Sequence, residues 1–230
     1  MHQPYPQSCT VFAGSRRLVT GDLAEVALKA KEIIESGDPA PVLIFDDRTS
    51  EHVEVDVRGS AKDVLARLEK SCGKNRPEDA SAGSSEETAH GPGRPKLGVV
   101  GREVTLLPRH WDWLNNQPGG ASVTLRKLVE EARRANAPKD CARLAQEATY
   151  RFMAVMGGNL PGFEEATRVL FAKRKDRFNE FEKRVHSWPR DVRKHVLQLM
   201  KETIKLEVMS SAAVGNNTNV KYECAPSFGD

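Results

Sequence analysis

Residues 91–135 constrain the fold more than any other stretch of this chain. A Gly/Pro-punctuated basic arm, GPGRPK, leads into a short β-prone run from Arg102 to Leu107. Pro108 then opens a helix to Gln117, because proline's fixed φ and missing N–H suit the first helical turn. Pro118-Gly119-Gly120 breaks the chain, and Ser122 is placed to cap a second helix. That helix carries Leu125, Leu128, Val129 and Ala132 at i, i+3, i+4 and i+7, an apolar stripe that has to be covered by something.

The flanking segments read as an α+β chain. Residues 9–71 form a small α+β domain. Cys9 to Ala13 and Arg17 to Thr20 are short strands around a Gly14-Ser15 turn. Asp22 with Glu25 starts a helix that Gly37 ends. Pro41 to Phe45 is an apolar strand, and Asp46 to Ser50 a solvated turn. Val53, Val55 and Val57 alternate with charged residues as in a half-buried strand. Ser60 with Asp63 starts a further helix. Residues 72–93 are a flexible linker, with almost no large apolar side chain to offset the entropy of ordering. Residues 138–206 are helical: Cys141 to Met156, Phe163 to Lys173, a helix through Phe178, Phe181 and Val185, and a last one after Pro189. Residues 207–230 form a disordered tail.

Charge is uneven. Residues 1–71 carry 9 basic and 12 acidic side chains, residues 91–136 carry 8 and 4, and residues 137–206 carry 15 and 9. A basic back half suits a polyanion, since Lys/Arg excess supplies nucleic-acid affinity. Four scattered cysteines show no zinc or disulfide spacing, so reduced thiols are expected. The six histidines have no metal spacing, and no phosphate loop or nucleophile elbow occurs. No enzyme activity, cofactor or metal is therefore expected. Asp46 and Asp47 could be an acid/base pair, but adjacent carboxylates after a strand more often sit in a turn. No apolar run approaches a membrane span, and MHQPYPQSC lacks a signal peptide's regions, so the expected location is cytoplasmic.

Strand, helix, helix is a layout that resembles ribbon-helix-helix DNA-binding proteins, for residues 94–136. The resemblance implies a homodimer whose paired 102–107 strands lie in the major groove of double-stranded DNA. Arg102 and Thr105 would then meet base edges, Ser122 would present helix amides to a phosphate, and Arg94 and Lys96 would follow the backbone. GRPK also resembles the core of an AT-hook, without that motif's second arginine. A helix-turn-helix with 122–135 as recognition helix is a further reading. The alternative outside nucleic acids is a protein–protein interaction module that uses Trp113 and the helical back half.

TVFAGSRRLVTGDLAEVALKAK, PVLIFDD, the block from Gly93 to Arg134, ATYRFMAVMGGNLPGFEEATRVLFA and WPRDV together resemble a bacterial family of uncharacterised proteins, domain-of-unknown-function family 2239. The resemblance spans about residues 9–205 and implies a bacterial origin. It implies no activity, substrate or catalytic residue.

Overall fold

The computed structural model describes residues 8–74, 102–172, 174 and 176–213. Two compact units divide the chain: residues 1–76 with 136–230, and residues 77–135.

In the first unit the first two strands, β1 (Cys9–Ala13) and β2 (Arg16–Gly21), pair antiparallel through the Gly14 turn, where φ is +54°. A bulge after Val11 leaves Leu18 between the Val11–Val19 and Phe12–Arg17 pairs. Helix α1 (Leu23–Glu35) starts where Asp22 accepts from the Glu25 amide at 2.7 Å. The Glu25 carboxylate folds back so closely over Gly21 that a Cβ there would lie 2.2 Å from Oε2. Strand β3 (Val42–Asp46) pairs with β1, giving an antiparallel sheet in the order β2-β1-β3. Helix α2 (Ala61–Lys74) opens on a reciprocal cap: the Ser60 amide donates to Asp63 Oδ2 at 2.8 Å, and the Asp63 amide to Ser60 Oγ at 3.3 Å. It takes in the first three residues, 72–74, of the expected linker. The rest of 72–93 lies outside the described residues.

The stretch 53–58 corrects one expectation. Val53, Val55 and Val57 do alternate in burial with Glu54, Asp56 and Arg58. No strand forms there. The Val53 amide donates to Ile44 O at 2.8 Å, and the only ladder contact is the isolated Phe45–His52 bridge. Side chains take three of the carbonyls: the Arg67 guanidinium donates to those of Asp56 and Arg58, and Lys31 Nζ to that of Val57.

Helix α4 (Gly120–Gly157) brings a second correction. The expected helices 122–135 and 141–156 are one element, with Pro138 inside it. Proline removes one donor, but the neighbours RRANAPK are mostly good helix formers and carry the helix through. Helices α5 (Phe163–Phe171), α6 (Arg177–Arg184) and α7 (Arg190–Ala213) follow. Helix α7 extends past the expected tail boundary at 207.

The loop GGNLPG between α4 and α5 is dictated by packing. A Cβ at Gly157 would sit 2.5 Å from the Trp188 ring. Gly162 has φ +81°, and a Cβ there would meet Arg184 O at 2.6 Å. The Trp188 indole is then held by Nε1 donating to Pro161 O at 2.9 Å.

Segments 9–71 and 138–206, separate in the sequence reading, share a core. The sheet is covered on both faces. Cys9, Val11 and Ile44 pack with Leu23, Val26 and Ala30 of α1. Phe12 and Phe45 pack with Phe152, Met153, Leu170, Val196 and Met200 of the helical layer. Polar contacts join the same layers: Arg151 Nη1 donates to Thr49 O at 2.7 Å, and the Arg17 amide to Asp191 Oδ2 at 3.1 Å.

His195 lies inside this core, its ring 4.3 Å from that of Phe152 and 5.5 Å from that of Phe12. Burial, aided by the Arg17 charge, pushes its pKa from 6.5 down to about 3. The folded chain therefore refuses a proton that the unfolded chain accepts between those two values. Stability should fall as pH drops from 6.5 towards 3, by up to about 1.4 kcal/mol per pH unit. Asp47 acts in the opposite sense. Burial raises its pKa above 3.8, so stability rises as pH falls through the raised value. Urea unfolding of His195→Leu across this range should give a flatter acid limb than the parent. An unchanged slope would show that His195 is not the group responsible.

Candidate functional site

Residues 102–135 lie in the second unit and hold three of the five residues singled out for DNA contact. Residues 102–107 do not form a strand; they run irregularly into helix α3 (Pro108–Asn115). The expected ribbon pairs this segment with its own copy across a two-fold axis, and a six-residue segment gains a ladder only from such a partner. Arg102 and Thr105 are both exposed on this segment. Ser122 is not an N-cap, because α4 already begins at Gly120. Gly119 and Gly120, at φ +90° and +72°, make the turn that the sequence assigned to this break. Arg94 and Lys96 lie outside the described residues.

Pro108 does begin α3, with Leu107 as N-cap residue. Trp111 and Leu114 share a face, and Leu114 is the one apolar side chain fully buried among the described residues of this unit. The other large apolar groups are open. Exposure reaches 53% at Val104, 51% at Trp113 and 63% at Val129, with Leu107, Trp111 and Leu128 also exposed. These six are nearly half of the thirteen exposed large apolar residues described in the chain, in a segment of 34 residues. Isolated exposed apolar groups are ordinary, whereas a concentration of them marks an interaction surface. The α4 stripe behaves accordingly: Leu125 is half-buried, while Leu128, Val129 and Ala132 are exposed.

Charge divides along α4. Glu130 accepts from Arg133 Nε at 3.0 Å and from Arg134 Nε at 2.9 Å, and these contacts hold its carboxyl down to about 2. Arg133 and Arg134 thus share one carboxylate, which offsets one of their two charges. Arg102, Arg109, Arg126 and Lys127 are exposed and form no ion pair among the described residues.

The two carboxylates at the end of β3 sit in different surroundings. Asp46 Oδ1 accepts from the amides of Arg48 and Thr49, at 2.7 and 3.2 Å, and shapes the turn. Asp47, expected to be solvated, is buried instead. Its Oδ1 accepts from Thr10 Oγ1 at 2.6 Å, its Oδ2 from Ser8 Oγ, and Thr10 also meets Thr20 Oγ1 at 2.8 Å. Burial raises its pKa, against the pull of those hydroxyls. A buried carboxyl satisfied by two hydroxyls locks the chain's entry to the sheet. Cys9 is a free, buried thiol, pushed up to about 12 by burial and the charges of Asp47, Asp46 and Asp22, which favours its protonated form. Cys141 is disulfide-bonded, which corrects the expectation of reduced thiols at that position.

No group of His, Cys, Asp and Glu among the described residues is placed to hold a metal ion. No helix among them is long and apolar enough to cross a membrane.

The fold therefore defines an α+β protein, with an antiparallel sheet packed between helices and a separate helical segment with an open apolar surface. The family model described as an uncharacterized protein conserved in bacteria, domain-of-unknown-function family 2239, matches residues 8–200, and the chain belongs to this family. No curated protein and no solved structure matches it.

Proposed function

We propose that residues 102–135 are a docking module that takes a protein partner on the apolar surface of α3 and the first half of α4. One observation carries this reading: within 34 residues, six large apolar side chains are exposed and only Leu114 is fully buried. Ordering a residue costs about 1–2 kcal/mol of backbone entropy, and one buried leucine offsets little of that across such a segment. A covering partner supplies what is missing.

The unpaired cations favour a second reading, a DNA-binding regulator. Arg102, Arg109, Arg126 and Lys127 are available to phosphates, and α3, a short glycine turn and α4 follow one another as in a helix-turn-helix. In that reading Arg94, Lys96 and Ser122 add backbone contacts, and Arg102 and Thr105 meet base edges where 102–107 pairs with its own copy.

A photo-crosslinking residue in place of Trp113, introduced in the producing cells, separates the two. The docking module gives protein adducts that persist at about 0.5 M salt and vanish with Val129→Glu, since apolar interfaces are insensitive to screening. DNA binding gives nuclease-sensitive adducts that fall steeply as salt rises. Absence of any protein adduct would sink the docking reading.

A further inference from the structure

We propose that Cys141 is cross-linked to Cys72, and that this disulfide is a redox-sensitive clasp at the two points where the chain leaves the first unit and returns to it. The clasp does not depend on which partner residues 102–135 take.

The cysteines leave two candidates for the second sulfur. The chain has four. Cys141 is disulfide-bonded and Cys9 is a free thiol, so the partner is Cys72 or Cys224.

Two observations favour Cys72. The first is topological. The chain crosses between the two units only after residue 76 and after residue 135, and each crossing has a cysteine beside it on the first unit's side. Cys72 stands five residues before 77, and Cys141 six after 135. Linking them closes a loop around the whole second unit, and a cross-link over a long loop removes much freedom from the unfolded chain. The second observation is the course of α2. Arg67 reaches back to the carbonyls of Asp56 and Arg58, and Leu68 packs with Val53, Val55 and Val57. Helix α2 thus returns along 53–58, and its last turn, with Cys72, is directed at the turn 49–51. Helix α4 meets that same turn: Arg151 Nη1 donates to Thr49 O at 2.7 Å and lies 3.9 Å from Glu51.

Cys141 marks the place where α4 enters the first unit. After six exposed residues, 131–136, one face turns inward with Pro138, Cys141 and Ala142 buried. Pro138 has no N–H, so α4 lacks one of its own hydrogen bonds at this entry. A covalent tie one turn further on holds the helix where its ladder is weakest.

Closure needs a two-electron oxidant, here a low-molecular-weight disulfide. One cysteine thiolate attacks it, breaking its S–S bond and releasing a first small thiol. The other cysteine gives up its proton, attacks the mixed disulfide at the protein sulfur and releases the second small thiol. Two protein thiols are oxidised and one small disulfide is reduced to two thiols. A dithiol reductant reverses the steps and frees the last turn of α2 from α4.

Peptide mapping of the full chain, isolated without reductant and with free thiols alkylated at lysis, tests the assignment. Trypsin should release peptide 71–74 joined to peptide 140–143. A link from 140–143 to 222–230 overturns the inference, and so does alkylation of both Cys72 and Cys141. Hydrogen exchange tests the clasp. Reduction of the parent with dithiothreitol should speed exchange of the amides of 139–145 by about tenfold or more. Cys72→Ser without reductant should do the same, while Cys224→Ser should leave the rates at the parent's values. Rates that do not respond to reduction overturn the clasp, as does a Cys224→Ser protein that exchanges as fast as Cys72→Ser. Reduction of the parent needs no substitution, so a poorly folding variant leaves the test intact.

Discussion

Replacing Arg177 with alanine should destabilise the protein by about 3–5 kcal/mol, the range for breaking a buried charge network by removing one partner. Arg177 opens α6, yet it is only 2% exposed. Its Nη1 donates to Leu170 O at 3.0 Å and to Ala172 O at 2.8 Å, and its Nη2 to the Glu207 carboxylate on α7. The last carbonyls of a helix have no partner within it. Here the guanidinium, with Gln146 Nε2 at 2.9 Å from Leu170 O, supplies the donors at the end of α5. Alanine leaves these buried acceptors short of donors. Lysine keeps the charge but not the fork, so Arg177→Lys should recover only part of the loss. Glu207→Ala should cost less, because its carboxylate is about a third exposed and water can screen it. Urea midpoints of the three variants give the order. An Arg177→Ala protein within about 1 kcal/mol of the parent would refute the assignment.

Arg177 also illustrates where sequence reading stops. In the sequence it is one of four cations in a junction from 173 to 177, and nothing local separates it from its exposed neighbours. What can be read locally is what is decided locally. The cap at Asp22 and the reciprocal cap of Ser60 and Asp63 depend on side chains reaching three residues along the chain, and both form as expected. Strands β1, β2 and β3 also form close to their expected places. The valines of 53–57 give a subtler lesson. Alternation correctly reports which side is buried, but a strand also needs a neighbouring ladder, and Arg67 and Lys31 take that place. For 102–107 the pattern likewise needs a pairing partner, which the expected ribbon takes from a second copy. At Pro138 the expected break fails because proline disfavours a helix locally without forbidding it where good helix formers surround it. The candidate surface was half legible: the stripe from Leu125 to Ala132 and the cations around it are plain in the sequence. How far that stripe is covered is a tertiary fact: Leu125 is half-buried, whereas Leu128 and Val129 are exposed.

The packing of the sheet against the back half is equally absent from the sequence pattern, and Phe152→Ala is its most direct test. Phe152 is fully buried on α4, with its ring 5.5 Å from Phe12 of β1, 5.3 Å from Phe45 of β3 and 4.3 Å from His195 of α7. Truncation removes the transfer energy of the ring and leaves a cavity among close-packed groups, at a cost of about 3–5 kcal/mol. In a chain of this size that corresponds to a fall in Tm of about 10 °C. The form of the transition matters as much as its midpoint. A three-stranded sheet with one face bare is marginal. Here α1 covers only the side bearing Cys9, Val11 and Ile44, and the side bearing Phe12 and Phe45 depends on helices more than 100 residues away in sequence. Loss of Phe152 from the helical layer should therefore lower one transition in which sheet and helices melt together, followed by near-UV circular dichroism of the aromatic core and far-UV signal from the helices. Two separated transitions, with the strand-bearing segment melting at its original midpoint, would mean that the front and back halves do not share a core. Val129→Glu, on the exposed face of the same helix, is the control: measured at a concentration where the chain is monomeric, it should leave the melt within about 0.5 kcal/mol of the parent.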